Sequence, residues 1–595
     1  MKSATCRLLL LLPLMWLGTR LPVMAAESLQ VSGETYHAQQ QVKPASPAML
    51  KSAAVASSRM ARGRPMTMDL GSPSAQELAP LNQNNARLRP YPIGISRVIP
   101  DLPDVADWAW SELPDGGQAA AFELISRQAS RIRVLIQANA LPDGVEIRLF
   151  DPLDPNHVLG PFRSNNFRPQ GSHPAALWTP SFPGESLGLE LYAPPTINPA
   201  DIHLSFPRLS HLIQGPGGNS GLRNTSAALR LSSCEVSAAC APTEWQEEGK
   251  AVARYVYTDT SGFSYLCTGT LIADSDTASQ IPYFLTAAHC INNTAAADSM
   301  EPFWFYQDSS CGSNDASWQQ TGAGATLLST RPELDSTLVL LKNPPPDGVR
   351  LSGWRLDPLA DNAITHSLQH GNGDKRQYSE GNFVTYTSLV TTSGGYSVTP
   401  NPSGDFTRVS WYQGITAPGS SGSGLWLAVG GERFLKGTLV GGSSSCTNPA
   451  GPDEYTRLER FYPHIAPWLG QAPALPSFIN SQAPATALVD GVLAARYMNG
   501  LRGQTLTDGV SGENIDTAAL EQKLADALPY LDIDADGAST ASRDGLLLIR
   551  YLTGYRGTDL LAGIDQGGAF RNTPEQISAY LAQLLQGQEH KKDPP

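Results

Sequence analysis

The chain is short of charge, of cysteine and of long apolar runs, and each shortage excludes something. Charged residues make up only 16% of its 595 positions, and acids outnumber bases by 55 to 42, for a formal net charge of −13 at pH 7. A surplus of carboxylates repels phosphate backbones and anionic headgroups, so neither nucleic acid nor a membrane surface is expected as the main partner. Beyond the N-terminal apolar run no stretch approaches the ~20 residues needed to cross a bilayer. The mature chain is therefore expected to carry no membrane span. There is no Cys-x-x-Cys pair and no His/Cys cluster, which argues against zinc. No motif calls for a catalytic cofactor.

What is present begins with an export signal. Lys2 and Arg7 precede the apolar run Leu8 to Leu17, and Val23-Met24-Ala25 offers a small-residue cleavage site. Residues 1–25 are expected to be a signal peptide, and the protein to be secreted, extracellular or periplasmic in transit. Of seven cysteines, Cys6 leaves with that signal. The other six, Cys234, Cys240, Cys267, Cys290, Cys311 and Cys446, share one region. An even set in an exported domain implies three disulfides, with 15 pairings open to sequence reasoning.

At this length roughly three or four domains are expected, and 54 Gly with 47 Pro favour turns and strands over long helices. Residues 26–90 show little apolar periodicity and are expected to be a flexible pro-segment. Alternation then sets in: Ile132, Val134 and Ile136; Val145, Ile147 and Leu149; Leu187, Leu189 and Leu191; Ile202, Leu204 and Phe206. Period-two runs between Pro, Gly and Asp turns predict a small antiparallel β-sandwich, so 91–230 is assigned to a sandwich and linker. Residues 231–470 form a β-rich unit holding all six cysteines. A second Ala/Pro-rich linker follows at 471–477. In the last hundred residues the stretch Asp490 to Gly503 recurs as Asp544 to Gly557, which predicts a two-repeat helical module over 478–590.

The chemistry lies in the third unit. Leu285-Thr286-Ala287-Ala288-His289-Cys290 comes first, then Leu334-Asp335 opening an apolar run, then Gly419-Ser420-Ser421-Gly422-Ser423. A serine hydroxyl is a weak nucleophile at neutral pH and needs a base to take its proton. A carboxylate must hold that base in one tautomer, and glycines let backbone amides converge on an oxyanion. His289 is the candidate base, Asp335 its orienting acid and Ser421 the nucleophile. The backbone N–H groups of Gly419 and Ser421 are the candidate oxyanion donors. Other aspartates in the interval (Asp308, Asp315, Asp347, Asp357, Asp361, Asp374, Asp405) stand in polar or turn-forming surroundings.

The order His, Asp, Ser, with Cys267-Thr268-Gly269-Thr270-Leu271, Trp304-Phe305-Tyr306, Gly437 to Gly442 and Asp453 to Arg457, resembles the trypsin/chymotrypsin-like serine peptidases. Within them it resembles the bacterial secreted lysyl endopeptidases. The resemblance covers roughly 240 residues and implies a mainly β fold: a chymotrypsin-like catalytic domain of two barrels at 231–470. The sandwich before it becomes a pro-domain. The resemblance also implies the bridges Cys234–Cys446, Cys240–Cys311 and Cys267–Cys290, and polypeptide substrates cut after Lys, with Arg the alternative. Ile415 stands where trypsin has its pocket aspartate. Lysyl endopeptidases place one later, and Asp453 matches it, with Val440, Gly441 and Gly442 as the facing wall. The residue at Val440 is a histidine in those enzymes. Ser420 replaces the aspartate that receives a new N-terminus in trypsin zymogens, so activation is expected to run through the pro-domain, with Arg230 as an accessible cut site. Two rival readings are a peptidase of other preference and a catalytically silent adhesin or scaffold.

Asp532-Ile533-Asp534-Ala535-Asp536-Gly537, with Asp544 beyond it, spaces carboxylates as a calcium loop does. It resembles dockerin-type calcium repeats, which implies Ca2+ at Asp532, Asp534, Asp536 and Asp544 and a protein partner for the tail. The first copy has Phe478, Asn480 and Gln482 at the matching places and is expected to bind none.

Overall fold

A computed structural model describes residues 29–37, 66–82, 90–216 and 233–585, apart from 101, 154–156, 171–172, 277–278, 323, 393–394, 471–474, 476, 480–482 and 511–514. The expected signal peptide, Arg230 with residues 217–232, most of the second linker, and Asn480 and Gln482 lie outside the described residues.

The alternating runs form an N-terminal domain of two facing sheets. Gln118–Ile125, Ser186–Ala193, Glu146–Phe150 and Val158–Phe162 belong to one, and Arg131–Ala140, His203–Leu212 and Tyr91–Val98 to the other. Ile132, Val134, Ile136, Val145, Ile147, Leu149, Leu187, Leu189 and Leu191 are all fully buried in the one apolar cluster between them. Alternation puts every second side chain on the inner face, which is why these runs become strands.

Within 26–90 the described residues 29–37 and 66–82 depart from expectation. Met66–Asp69 is a strand parallel to Gln118–Ile125, and Ser74 caps a short helix over Ala75–Leu78. Further upstream, Gln30–Val31 pairs with Arg355 and Trp354, and Glu34–Thr35 with Leu351 and Arg350. Tyr36 is fully buried in the core of the later domain. Two-residue strands have no periodicity to display, and their partners lie too far along the chain for a local reading to find.

The catalytic-type unit is mainly β, with barrel-like sheets. Phe263–Leu271 pairs with Val252–Thr258 and with Tyr283–Thr286, which continues to Ser336–Leu341 and Ala325–Arg331. In the second half, Glu432–Gly442, Gly424–Val429, Ile364–Gln369, Gln377–Thr392, Phe406–Gln413 and Pro452–Arg457 follow in order, and the last pairs back to the first. The bridges are Cys234–Cys446, Cys240–Cys311 and Cys267–Cys290. These are the pairs implied by resemblance.

The N-terminal domain does not merely abut this unit. Tyr91–Val98 is hydrogen-bonded to Phe263–Leu271, so one 13-stranded sheet runs through both. Fully buried Arg133 crosses the seam. It donates to Ser299 O at 2.6 Å and Thr258 Oγ1 at 2.8 Å, and faces Glu301 at 3.8 Å. Glu301 in turn accepts from the Ser181 N–H at 2.6 Å. Buried charges need this density of partners, because desolvation otherwise outweighs their attraction.

In the C-terminal module the repeat is structural. A π-helical turn at Ala487–Gly491 leads into the helix Val492–Met498, and the same pair recurs at Ala541–Gly545 and Leu546–Leu552. The module is seated on the barrel. Ala535 and Phe570 join the apolar cluster that includes Tyr283 and Leu340, and a Cβ on Gly537 would stand 2.9 Å from Thr326 Cγ2.

Three buried histidines contribute an acid-sensitive share of the stability. Burial pushes His211 and His366 down to about 4 and His370 down to about 3. Each stays neutral in the fold while the unfolded chain takes up a proton below ~6.5. At these three sites the unfolded state then binds more protons, so their contribution falls as pH drops from ~6.5 towards 4, by up to ~1.4 kcal/mol per pH unit for each histidine, while Asp532, raised to about 7, contributes with the opposite sign. Urea unfolding of the parent chain and of His211→Asn at pH 7, 6 and 5 isolates one such share: the stability difference between the two should shift in favour of the variant as pH falls. A difference that does not change with pH would contradict this.

Candidate active site

His289 follows the buried strand Tyr283–Thr286, and Asp335 precedes the paired strand Ser336–Leu341. Antiparallel pairing of those two strands brings the loops at their ends together. Asp335 Oδ1 accepts from the His289 backbone N–H at 2.8 Å, and Oδ2 lies 2.7 Å from the ring Nδ1. One carboxylate thus grips both the main chain and the ring. Asp335 has φ of +48°, a left-handed conformation that Asp tolerates better than most residues. Thr456 Oγ1 holds the carbonyl just before it, and Ser336 Oγ bonds Thr438 Oγ1 at 2.7 Å. His289 Nε2 is buried and, among the described residues, has no hydrogen-bond partner.

The Gly419–Ser423 loop is held against the same strands. Thr268 N–H donates to Ser421 O at 2.9 Å, and Thr268 Oγ1 donates to Gly419 O at 2.8 Å. Gly422 presses on the segment ahead of His289: a Cβ there would stand 2.2 Å from Thr286 Oγ1 and 2.7 Å from Ala287 N. Gly419 has φ of +99°, and a Cβ on it would stand 2.7 Å from Leu266 Cδ2. Glycine is needed at both places for conformation and for space. Among the described residues, neither the Gly419 nor the Ser421 N–H has an acceptor. The hydrogen bond from Ser421 Oγ to Nε2 is not made here, as is common before substrate tightens such contacts. Cys267–Cys290 ties the strand behind the serine loop to the residue after His289.

Asp453 is fully buried where Phe406–Gln413 and Glu432–Gly442 flank its strand. Its Oδ2 accepts from Trp411 Nε1 at 2.6 Å, Ser444 Oγ at 2.7 Å and Thr416 Oγ1 at 2.8 Å, and Oδ1 from the Ser444 N–H at 3.2 Å. Burial pushes the carboxyl up, and these donors oppose it. A Cβ on Gly442 would stand 1.9 Å from Asp453 Oδ1, so the glycine leaves that oxygen uncrowded. Val440 is buried on the same strand as Gly441 and Gly442. Sequence reasoning missed Trp411, Thr416 and Ser444, although Thr416 adjoins Ile415. Only the fold shows that they converge.

In the tail, oxygens of Asp532, Asp534 and Asp536 lie within 4.8 Å of one another. Asp532 Oδ1 accepts from the Asp536 N–H at 3.1 Å and its Oδ2 from the Gly537 N–H at 3.0 Å. Burial and the neighbouring carboxylates push Asp532 up to about 7. Three buried, mutually repelling carboxylates are a hard oxygen donor set that suits calcium. Asp544, the expected fourth ligand, stands close enough to the trio that burial and the Asp532 charge push its carboxyl up to about 7. It closes the loop, accepting from the Ile533 N–H and the Thr540 N–H at 2.7 Å each. Asp490 in the first copy does the same for the Phe478 and Thr486 N–H groups at 2.7 Å. The repeats share this closure but not the acidic trio. Arg543 also reaches Asp536 at 2.6 Å.

Among the described residues no helix is long and apolar enough to cross a membrane.

Family models match two segments: a lysyl endopeptidase N-terminal domain over residues 69–213, and a lysyl endopeptidase C-terminal domain over 230–456. A lysyl endopeptidase of Pseudomonas aeruginosa is 30% identical over 393 residues, spanning 63% of this chain and 80% of that one. Among solved structures, an active-form protease from M. tuberculosis aligns with TM-score 0.27 and 13% identity, over 39% of this chain and 85% of that one. The MamO protease domain from Magnetospirillum magneticum aligns with TM-score 0.25 and 10% identity, over 37% and 98%. With both of its characteristic domains matched and a relative at that identity covered over most of its length, the chain belongs to the lysyl endopeptidase family of serine endopeptidases.

Proposed function

We propose that the protein is a secreted endopeptidase that cuts polypeptides after lysine, with arginine the alternative, through an acyl-enzyme on Ser421. Ser421 Oγ attacks the scissile carbonyl while His289 Nε2 takes its proton, and Asp335 steadies the imidazolium through Nδ1–H. The developing oxyanion is received by the Gly419 and Ser421 N–H groups. His289 then protonates the departing amine, and water, deprotonated by the same nitrogen, releases the acyl group. The observation that carries this reading is the doubly held His289, its Nε2 buried and unpartnered beside the serine loop. A silent scaffold has no use for such a base. A fluorophosphonate should label one serine, mapped to Ser421. Ser421→Ala should abolish labelling, and His289→Ala should slow turnover by several orders of magnitude. Labelling that persists in Ser421→Ala would overturn the assignment.

Specificity rests on Asp453. A lysine brings a compact cation on a long apolar stem, suited to a deep pocket ending in a carboxylate. The four donors around Asp453 favour its ionised form, and an incoming ammonium completes its neutralisation. Asp453→Asn keeps the shape and removes the charge, at a cost on the order of 3 kcal/mol in transition-state binding, or two decades in kcat/KM. Peptides differing only at the cleaved residue (Lys, Arg, Glu, Phe, Ala) measure this. A parent enzyme preferring Phe or Glu would refute the pocket.

The chain would be exported through residues 1–25 and mature by cleavage after Arg230, releasing the 26–230 pro-region from the 231–470 peptidase domain. The 478–590 tail would be a dockerin-like module offering a protein partner its surface. Calcium, held by Asp532, Asp534, Asp536 and Asp544, would add to the positive charge that Arg543 brings to Asp534 and Asp536. Because the loop sits on the barrel, calcium should raise the melting temperature of the full chain as its concentration rises. Asp534→Asn should blunt that response. Calorimetry without heat of binding would reduce the loop to an acidic turn.

A further inference from the structure

The strand edge covered by the N-terminal domain belongs to the strand that holds the Ser421 loop. The Asp453 pocket, with Thr416 and Ser444 in its wall, is built from the second barrel. It takes the residue on the acyl side of the scissile bond. The rest of a bound polypeptide must leave Ser421 in the other direction, past His289, which protonates the departing amine. In that direction lies Phe263–Leu271, whose Thr268 holds Ser421 and Gly419 and whose Cys267 is bridged to the residue after His289.

Its outer edge is occupied. Tyr91 and Pro92 pair with Leu266 and Tyr265, and Gly94 and Ile95 with Ser264 and Phe263. Leu266 is the residue that packs on Gly419. Ile93 and Leu212 of the N-terminal domain are buried against Val256, Leu266 and Phe303, and Ser210 Oγ bonds Ser264 Oγ at 2.6 Å. A second contact reaches the same place. Gln214 Nε2 donates to Asn372 O at 2.8 Å, and the Asn372 N–H donates to Pro418 O at 2.6 Å, one residue before Gly419. The polar contacts of Asp453, by contrast, come from within the second barrel.

We infer that the N-terminal domain restrains the enzyme by strand addition on the leaving-group side alone, filling the edge that an extended substrate would pair with beyond the scissile bond. The pocket and the base stay assembled, because among the described residues the N-terminal domain makes none of the polar contacts of Asp453 or His289. The uncut chain is therefore a working esterase that is blocked as an endopeptidase. This rests on Ser421 as nucleophile and concerns what the attached domain selects against. A tethered strand acts at an effective concentration in the mM range, above what a diffusing peptide segment matches. The discrimination should grow with each substrate residue beyond the cut.

The test uses the full chain carrying Arg230→Gln and a recognition sequence for an unrelated protease placed within residues 217–232, its integrity verified by intact mass. Before cutting, it should hydrolyse a small lysyl ester and take a fluorophosphonate within ~3-fold of the cut enzyme freed of its N-terminal domain. Cleavage of a peptide with three or more residues beyond the lysine should be slower by on the order of 100-fold. Peptides with one, two and three such residues should show a progressively larger difference before cutting and none after. If the uncut chain cleaves the long peptide at the freed enzyme's rate, the covered edge restrains nothing and the inference fails. It fails equally if ester and label are refused until cutting, since the domain then acts on the whole centre. If neither form is labelled at Ser421, the nucleophile assignment itself falls, a distinguishable outcome.

Discussion

Most of this molecule depends on how one strand, Phe263–Leu271, is shared. Its two edges serve four neighbours: Val252–Thr258, Tyr283–Thr286, the Gly419–Ser421 loop and the N-terminal domain's Tyr91–Val98. Backbone hydrogen bonds fix strand spacing closely. A side chain on a neighbour is therefore placed by the ladder rather than by its own flexibility. That is why a threonine with no chemistry of its own can position both the serine and the glycine of the candidate centre. It is also why the sheet passes from one domain to the next without a hinge.

Charges buried in the fold are compensated in different ways. Asp453 is surrounded by donors and Glu301 sits between Arg133 and the Ser181 N–H. Arg254 is the contrast. It is fully buried, its guanidinium has no hydrogen-bond partner among the described residues, and it stands 5.4 Å from the centre of the Phe303 ring and 6.0 Å from that of Tyr306. Aromatic faces offset part of a cation's desolvation but direct no proton. Burial accordingly pulls Arg254 down to about 10.

Legibility followed the length scale of the signal. Alternating runs such as Ile132 to Ile136 announced their strands because burial on one face leaves a period of two. His289, Asp335 and Ser421 stood out as candidates because each lies in a short motif whose residue types the chemistry constrains, and the His289–Asp335 contact agrees with that reading. The donors to Asp453 were not legible, since Trp411, Thr416 and Ser444 are ordinary residues made special only by where three strands meet. The amide contacts of Asp544 were not legible either, since spacing cannot say which backbone N–H groups a carboxylate will meet. The seating of Ala535 and Phe570 on the barrel carried no periodic mark at all.

The strap formed by residues 29–37 has a consequence for the order of assembly. Gln280 donates to Thr35 O across 245 residues of chain, and Gln30 and Val31 complete a sheet at Arg355 and Trp354. These early residues cannot reach their places until much of the peptidase unit has been made. Contacts so distant in sequence are closed late, because the entropy of the intervening loop is lost before the contact is gained. A chain threaded out of the cell from its N-terminus would therefore carry its leading segment unpaired through most of its passage, and the strap would be among the last pieces to lock.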